Sequence, residues 1–336
     1  MNFSSLVRLA GRCGGYRIAR QLTARHPRIL MYHRFSKESG HGVCSATFER
    51  QVAYMARYYC PMTVTQLVQG HFQGGGVPKH AVAITVDDGY YDFYEVAWPI
   101  LKRYGVPATF YVTTGFIDGE LWLWPDQLGW LLEHAPSEST PFEAPLIRVT
   151  PPKSLEDREQ TFNELVFYLL GVPDDTKHNF LKSLASHWSL DIPQNPPKRA
   201  RPVTWEQLAE MQREGLEVGG HTVSHPTLGQ VSLEQARREI LGSSETLDRR
   251  LGSHPRSFCY PNGTPSDFIA EHVPIVKEAG FTAAVMAFSD AQSHDQRYAL
   301  RRHASSEEMF QFYKAVSGLE LLGHRLRRSK LETSYE

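Results

Sequence analysis

The stretch Thr85–Gly89 reads TVDDG. It closes an apolar run, Val82–Val86 (VAITV), on two adjacent carboxylates, Asp87 and Asp88. Neighbouring like charges repel, and no basic residue adjoins them. Either the pair makes an Asp-Gly turn, or a cation sits at the strand end. A short run that is apolar along its whole length suits a strand covered on both faces of a parallel sheet. Similar runs recur at Ile29–His33, Ala108–Val112, Leu216–Gly220, Ser257–Tyr260, Phe281–Met286 and Tyr298–Arg302. Helical spacing lies between several of them, at Thr47–Arg57, Glu95–Tyr104 and Leu233–Leu251. The last of these has Ser232 as N-cap and Gly252 as its stop. Strand and helix in alternation predict an α/β fold, a βα barrel or a doubly wound sheet. In both, functional groups gather where strands end.

The rest of the composition narrows the function. The chain has 336 residues, with Lys+Arg 36 against Asp+Glu 37. A net charge of -1 excludes the basic excess expected of a nucleic-acid protein. Cys13, Cys44, Cys60 and Cys259 form no CxxC pair, which argues for free thiols in a reducing compartment. No apolar run is long enough to span a membrane. The N-terminal segment 1–28 breaks its apolar runs with Arg8, Arg12, Arg17 and Arg20, which fits no export signal. It reads as a basic amphipathic helix, lying on a membrane surface or packed on the domain. The C-terminal segment 316–336 is a second basic, partly apolar stretch, open to the same two readings.

Residues 118–203 break the rhythm. LWLWPDQLGW, two charged helical stretches and a proline-rich close predict a mostly helical insertion that shapes a groove or lid. Asp126 lies at its start, among Trp122, Trp124 and Trp130. These rings are candidates to stack on sugars, or to form the insertion's own core.

Two further pieces carry chemistry. Gly219–Pro226 (GGHTVSHP) follows another apolar run, and His221 and His225 are four apart. On one helical turn that spacing puts both imidazoles on one face. A carboxylate plus two histidines is a three-ligand set with open positions, as a catalytic metal requires. Arg256–Gly263 (RSFCYPNG) runs a strand into Tyr260, Pro261 and Asn262, which reads either as a simple turn or as a wall of the cleft with a backbone N–H aimed at a developing oxyanion.

TVDDG, HTVSH and CYPNG, in this order, resemble the motifs of the polysaccharide deacetylase family, the NodB-homology or carbohydrate esterase family 4 fold. ILMYHRF followed by TFERQVAYM is similar to one branch of it. The resemblance covers about residues 29–90, 104–117 and 203–304. It implies an irregular seven-stranded βα barrel over 29–315, interrupted by the insertion. It implies metal-dependent removal of N-acetyl groups from a sugar in a polysaccharide or glycan precursor. On this reading Asp88, His221 and His225 hold a divalent metal, most often Zn2+. Asp87 is the general base, and the Asn262 N–H serves the oxyanion. The family arginine that orients the base maps to Cys259, and Arg302 is the better replacement over Arg301. For the general acid, His303 stands one step out of register, a step that flips a side chain to the other face. His33, at the end of the first strand, is a comparable candidate to line the site.

The partner implied is an N-acetylated glycan, or a lipid- or nucleotide-linked sugar, acted on in the cytoplasm or at the inner membrane face. Two alternatives stand beside this. The same site could cleave another amide or formamide, or the fold could bind glycan without cleaving it.

Overall fold

The computed structural model describes residues 14–38, 42–72, 74–264, 267–287 and 297–323. Its centre is one parallel sheet: β1 (Arg28–Tyr32), β2 (Cys60–Pro61), β3 (Ala81–Val86), β4 (Thr109–Val112), β5 (Glu217–Gly220), β6 (Ser257–Cys259), β7 (Ala283–Val285) and β8 (His303–Ala304). The order is β7-β6-β5-β4-β3-β1-β8, with β2 beside β3. His303–Ala304 pairs with Leu30–Met31, and Leu300 bridges to Val285. The last run therefore touches both ends of the sheet and curls it into an irregular barrel. Six strands fall where the sequence predicts them. The seventh does not. It pairs at His303–Ala304, just beyond the expected Tyr298–Arg302, whose start makes only the Leu300 bridge. The two-residue strand Cys60–Pro61 lacks an apolar run and has no sequence signature.

Alternation along the strands sorts the side chains. Ile29, Ala83, Tyr111, Cys259, Val285 and Leu300 form one buried cluster with Val64, Leu67 and Val68 of the helix Val64–Phe72. Their strand neighbours Leu30, Ile84, Phe110 and Val218 pack outward against helices such as Ser45–Tyr58 and Trp98–Tyr104. Side chains two apart share a face. Counting on from Ala83 and Thr85, Asp87 falls on the inner face. Counting on from Leu300, so does Arg302.

Leu233–Leu251 is a helix, with the Ser232 hydroxyl accepting the Gln235 N–H and Gly252 beyond it at φ 78. Between β4 and β5 the chain leaves the barrel. It forms the helices Trp124–His134, Leu155–Leu170 and Asp174–His187, and a hairpin of Phe142–Ala144 with Ile147–Val149. These elements share a core of their own around Trp124, Leu128, Leu165, Phe180, Leu184 and Trp188.

Of the basic N-terminal segment, the described part is the helix Tyr16–Leu22. The Tyr16 ring lies 5.2 Å from Tyr313, and the Arg20 guanidinium lies 4.7 Å over the Tyr58 ring. This end of the segment is packed on the domain. Residues 1–13 and 324–336 lie outside the described residues. No described helix is long and apolar enough to cross a membrane.

The paired glycines before His221 let β5 lie close to its neighbours. A Cβ on Gly219 would sit 2.5 Å from the Tyr111 ring and 2.6 Å from the Ser257 carbonyl. Gly219→Ala should destabilise the protein by about 1–3 kcal/mol, the usual cost of overpacking, as read by urea unfolding. Gly129→Ala, in an insertion helix with no contact closer than 3.7 Å, is the control. It should be neutral or stabilising by up to about 1 kcal/mol.

Candidate active site

Three strand ends converge on one point. β3 delivers Asp87 and Asp88, β5 delivers His221 and His225, and β6 delivers Cys259 and the Tyr260–Gly263 turn. Asp87 is 2% exposed. Its Oδ1 accepts from Arg302 Nη1 at 2.6 Å and its Oδ2 from Arg302 Nη2 at 2.7 Å. Arg302 also donates from Nε to the Met286 carbonyl (2.8 Å) and from Nη1 to the Thr85 hydroxyl (3.0 Å). Burial alone would push the Asp87 carboxyl up. The Arg302 charge and its paired hydrogen bonds outweigh that and hold it below its ordinary value. Cys259 Sγ lies 3.5 Å from Asp87 Oδ2, and burial pushes its thiol up, so it stays neutral there.

Asp88 faces the other way. Its Oδ1 is 3.4 Å from His221 Nε2 and 3.4 Å from His225 Nε2. Both separations are long for a hydrogen bond. Two ligand atoms on a tetrahedral metal with bonds near 2.1 Å stand about 3.4 Å apart, so the spacing suits a shared cation. His221 Nδ1 is 2.8 Å from the Cys259 carbonyl, which makes Nδ1 the protonated nitrogen and leaves the Nε2 lone pair toward Asp88. The three buried ligand atoms lie within 4.8 Å of one another. The donor set therefore fits a divalent metal. Despite burial, the two imidazoles hold the Asp88 carboxyl well below its ordinary value.

The sequence reading put His221 and His225 on a helical turn. They lie instead in a loop after β5, where Thr222 (φ 67) and His225 (φ 61) are left-handed and no helix can run. The Thr222 hydroxyl accepts the His225 N–H at 3.0 Å. Glu239, on the helix Leu233–Leu251, accepts the N–H groups of Val223 (2.9 Å) and Ser224 (2.8 Å) and the Ser224 hydroxyl (2.6 Å). Glu239 was missed from sequence. Nothing in the sequence singles it out among Glu234, Glu239, Glu245 and Asp248, the four carboxylates of the helix that follows the histidines.

Other candidates separate by strand face. His303 points away from the site and pairs through Nδ1 with Glu320 at 3.0 Å, so it is no general acid. The Tyr260 side chain is also turned out. Its ring stacks on Phe268 at 4.1 Å and its hydroxyl donates to the Tyr298 carbonyl. Asn262 has φ 60, and the Gly263 N–H donates across it to the Pro261 carbonyl at 2.7 Å. The Tyr260 N–H donates to Val285. Pro261 is buried and has no N–H to give. The Asn262 N–H is thus the one in this turn without an acceptor among the described residues. His33 remains at the site, with Nε2 3.6 Å from Asp87 Oδ2 and its side chain 46% exposed.

Trp124 is buried in the insertion's core beside Lys177, and Trp122 is buried as well, so neither offers a stacking face to a sugar. Asp126 does reach the barrel rim. Its Oδ2 accepts from the Tyr90 hydroxyl at 2.7 Å, and its Oδ1 lies 3.5 Å from Arg34. Arg34 stacks 3.8 Å over the Tyr90 ring and donates from Nε to Asp92 at 2.7 Å. Burial raises Asp126 and, against the Arg34 charge, pushes Asp92 up to about 6.

The polysaccharide deacetylase family model matches residues 74–144 and 159–284, over half of the chain. The chain belongs to the polysaccharide deacetylase family. It is a hydrolase of that family, and the Asp88, His221 and His225 group is compatible with the family's metal dependence. The Bacillus subtilis (strain 168) protein YxkH, which carries the same family's name, is 22% identical over 82% of this chain and 69% of its own length. The poly-beta-1,6-N-acetyl-D-glucosamine N-deacetylase of Staphylococcus aureus is 33% identical over 27% of this chain and 32% of its own length. Among solved structures, Streptococcus pyogenes deacetylase PplD has a TM-score of 0.56 at 20% identity, over 88% of this chain and 96% of that one. IcaB from Ammonifex degensii has a TM-score of 0.57 at 16% identity, over 87% and 97%. These two structures share the barrel fold.

Arg302→Met would strand the Asp87 carboxylate in the barrel without its partner. The variant should lose about 3–5 kcal/mol of stability, the usual cost of breaking a buried pair from one side. Asp87→Asn combined with Arg302→Met should recover part of that loss in urea unfolding. Equal instability of the single and double variants would refute the pairing argument.

Proposed function

We propose that this deacetylase removes N-acetyl groups from hexosamine residues of a glycan, leaving a free amine and acetate. The observation that carries the reading is a buried carboxylate pair split between two environments. Asp87 is clamped by an arginine and Asp88 faces two imidazoles, at the mouth of one barrel. The acetylated hexosamine named for the Staphylococcus aureus relative supports the choice of substrate class. A ligand set of two imidazoles and one carboxylate suits Zn2+ or Fe2+, and hydrolysis, which needs a Lewis acid and no redox change, favours Zn2+.

The metal, when bound by Asp88, His221 and His225, supplies a Lewis acid that acidifies water and polarises the acyl oxygen. Asp87 accepts the proton of the water that attacks the acyl carbon. Arg302 keeps that carboxylate ionised and fixes the direction of its oxygens. The Asn262 N–H donates to the oxygen that gains charge. His33, exposed and beside Asp87, carries the proton to the departing nitrogen. The C–N bond then breaks to give the amine.

Metal-stripped protein should release no acetate from N-acetylated glucosamine oligomers, and reloading with Zn2+ should restore release. Asp87→Asn should keep stoichiometric metal and lose about 10²–10⁴ in kcat, the range for general acid–base groups. Asp88→Asn should lose the metal itself. A protein that purifies without divalent metal and ignores Asp88→Asn would remove the hydrolase mechanism.

Glu239→Ala should weaken Zn2+ binding by about 10–100-fold, as loss of an outer partner does, with the fold intact by circular dichroism. Unchanged affinity in a chelator competition would mean that the histidine loop stands without Glu239.

A further inference from the structure

A cavity of about 480 Å³ opens between the barrel rim and the inserted helices. Arg34 and Asp126 line it, and both lie beside catalytic positions: Arg34 follows His33, and Asp126 holds Tyr90, next to the TVDDG turn. The insertion supplies the rest of the wall. Phe162 gives a half-buried ring, and Arg158, Glu159 and Asn163 stand around it on the same helix. The size falls in the range of small-ligand pockets, which run about 300–1,000 Å³.

The charges in this cavity cancel. Arg34 is held by Asp92 and Asp126, and Arg199 pairs with Glu133. Arg158 stands 3.9 Å from Glu133, beside the exposed Glu159. A phosphate or pyrophosphate needs uncompensated positive charge, and the wall has none to spare. Arg158 keeps terminal donors for a ligand, because its 3.9 Å approach to Glu133 is longer than a hydrogen bond and its side chain is 37% exposed. An apolar ring flanked by a guanidinium, a carboxylate and an amide matches the face and hydroxyls of a neutral sugar ring.

We propose that this cavity is an accessory sugar subsite built by the insertion, and that it holds the sugar next to the reacting one along the glycan chain. The inference rests on the deacetylase reading above and specifies its substrate. The neighbouring sugar of the chain enters the cavity, stacks on Phe162 and pairs its hydroxyls with Arg158, Glu159 and Asn163. The reacting residue is then held at Asp87 and Asp88. Binding energy from the neighbour is used to position the amide.

The test compares acetate release from N-acetylglucosamine, its β-linked dimer, trimer and pentamer, and UDP-N-acetylglucosamine, with Zn2+-loaded full-length protein. The wild type should gain about tenfold or more in kcat/KM between the monosaccharide and the trimer. Phe162→Ala and Arg158→Gln should each pull the trimer-to-monosaccharide ratio back toward one. Arg158→Gln, on a half-exposed side chain, keeps the test valid if Phe162→Ala loosens the insertion. Deacetylation without length dependence, or with a length gain that survives both variants, overturns the subsite. So does preference for the UDP-sugar that Arg158→Gln abolishes, since that marks a phosphate site. No release from any of these compounds counts against the deacetylase reading itself.

Discussion

The pairing of Arg302 with Asp87 sets the terms for the rest of the barrel. The two residues are 215 apart in the chain, and both side chains are almost wholly buried. Burying either charge alone would be prohibitive, and burying both is tolerable only when the remaining donors are satisfied. Arg302 meets that condition with a carbonyl from the β7 end and the Thr85 hydroxyl of β3. The ion pair therefore links the first half of the sheet to the run that closes it. The same bond fixes a carboxylate with both oxygens oriented, which a proton acceptor requires. Here one interaction serves closure and chemistry together.

The site also stores backbone strain. Asp88 (φ 81), Thr222 (φ 67), His225 (φ 61) and Asn262 (φ 60) all lie in the left-handed region without being glycine. Each such residue costs on the order of 1–3 kcal/mol and persists only where surroundings over-determine it. The surroundings are identifiable. The Thr113 N–H donates to the Asp88 carbonyl, Glu239 grips the histidine loop, and the Asn262 side chain donates to the Thr227 hydroxyl. Strain gathered at three strand ends, and offset by groups outside the ligand set, is what a preorganised site looks like.

Much of this was legible in the sequence, for physical reasons that also explain the gaps. A buried parallel strand must be apolar on both faces, so VAITV announced itself, and its terminal aspartates stood out. Period-2 alternation decides which residues point inward, and it places there Arg302, which the family resemblance had favoured over Arg301. His303 failed on the same rule, since one step along a strand reverses the side chain. The histidines were assigned the right neighbourhood and the wrong geometry. A spacing of four fits a helical turn, but the positive φ at Thr222 and His225 is held by Glu239, which lies 16 residues after Val223 and is silent in the motif. Trp124 stayed open between two roles because composition cannot distinguish a ring facing a groove from one that plugs a small core, and the core role is the one it fills. Cys60–Pro61 is too short to leave any periodic trace.

The insertion bears on the chemistry through Tyr90. That residue directly follows the turn that presents Asp87 and Asp88, and its backbone bridges to Pro202 at the end of the insertion. Its hydroxyl donates to Asp126 at the insertion's start. One residue thus binds both ends of the inserted segment to the catalytic turn, and Arg34 covers its ring. In the proposed subsite, a sugar on the insertion wall would press on Asp126 and so, through its hydrogen bond, on Tyr90 beside the catalytic turn. Substrate choice and catalytic alignment would then share that one hydrogen bond.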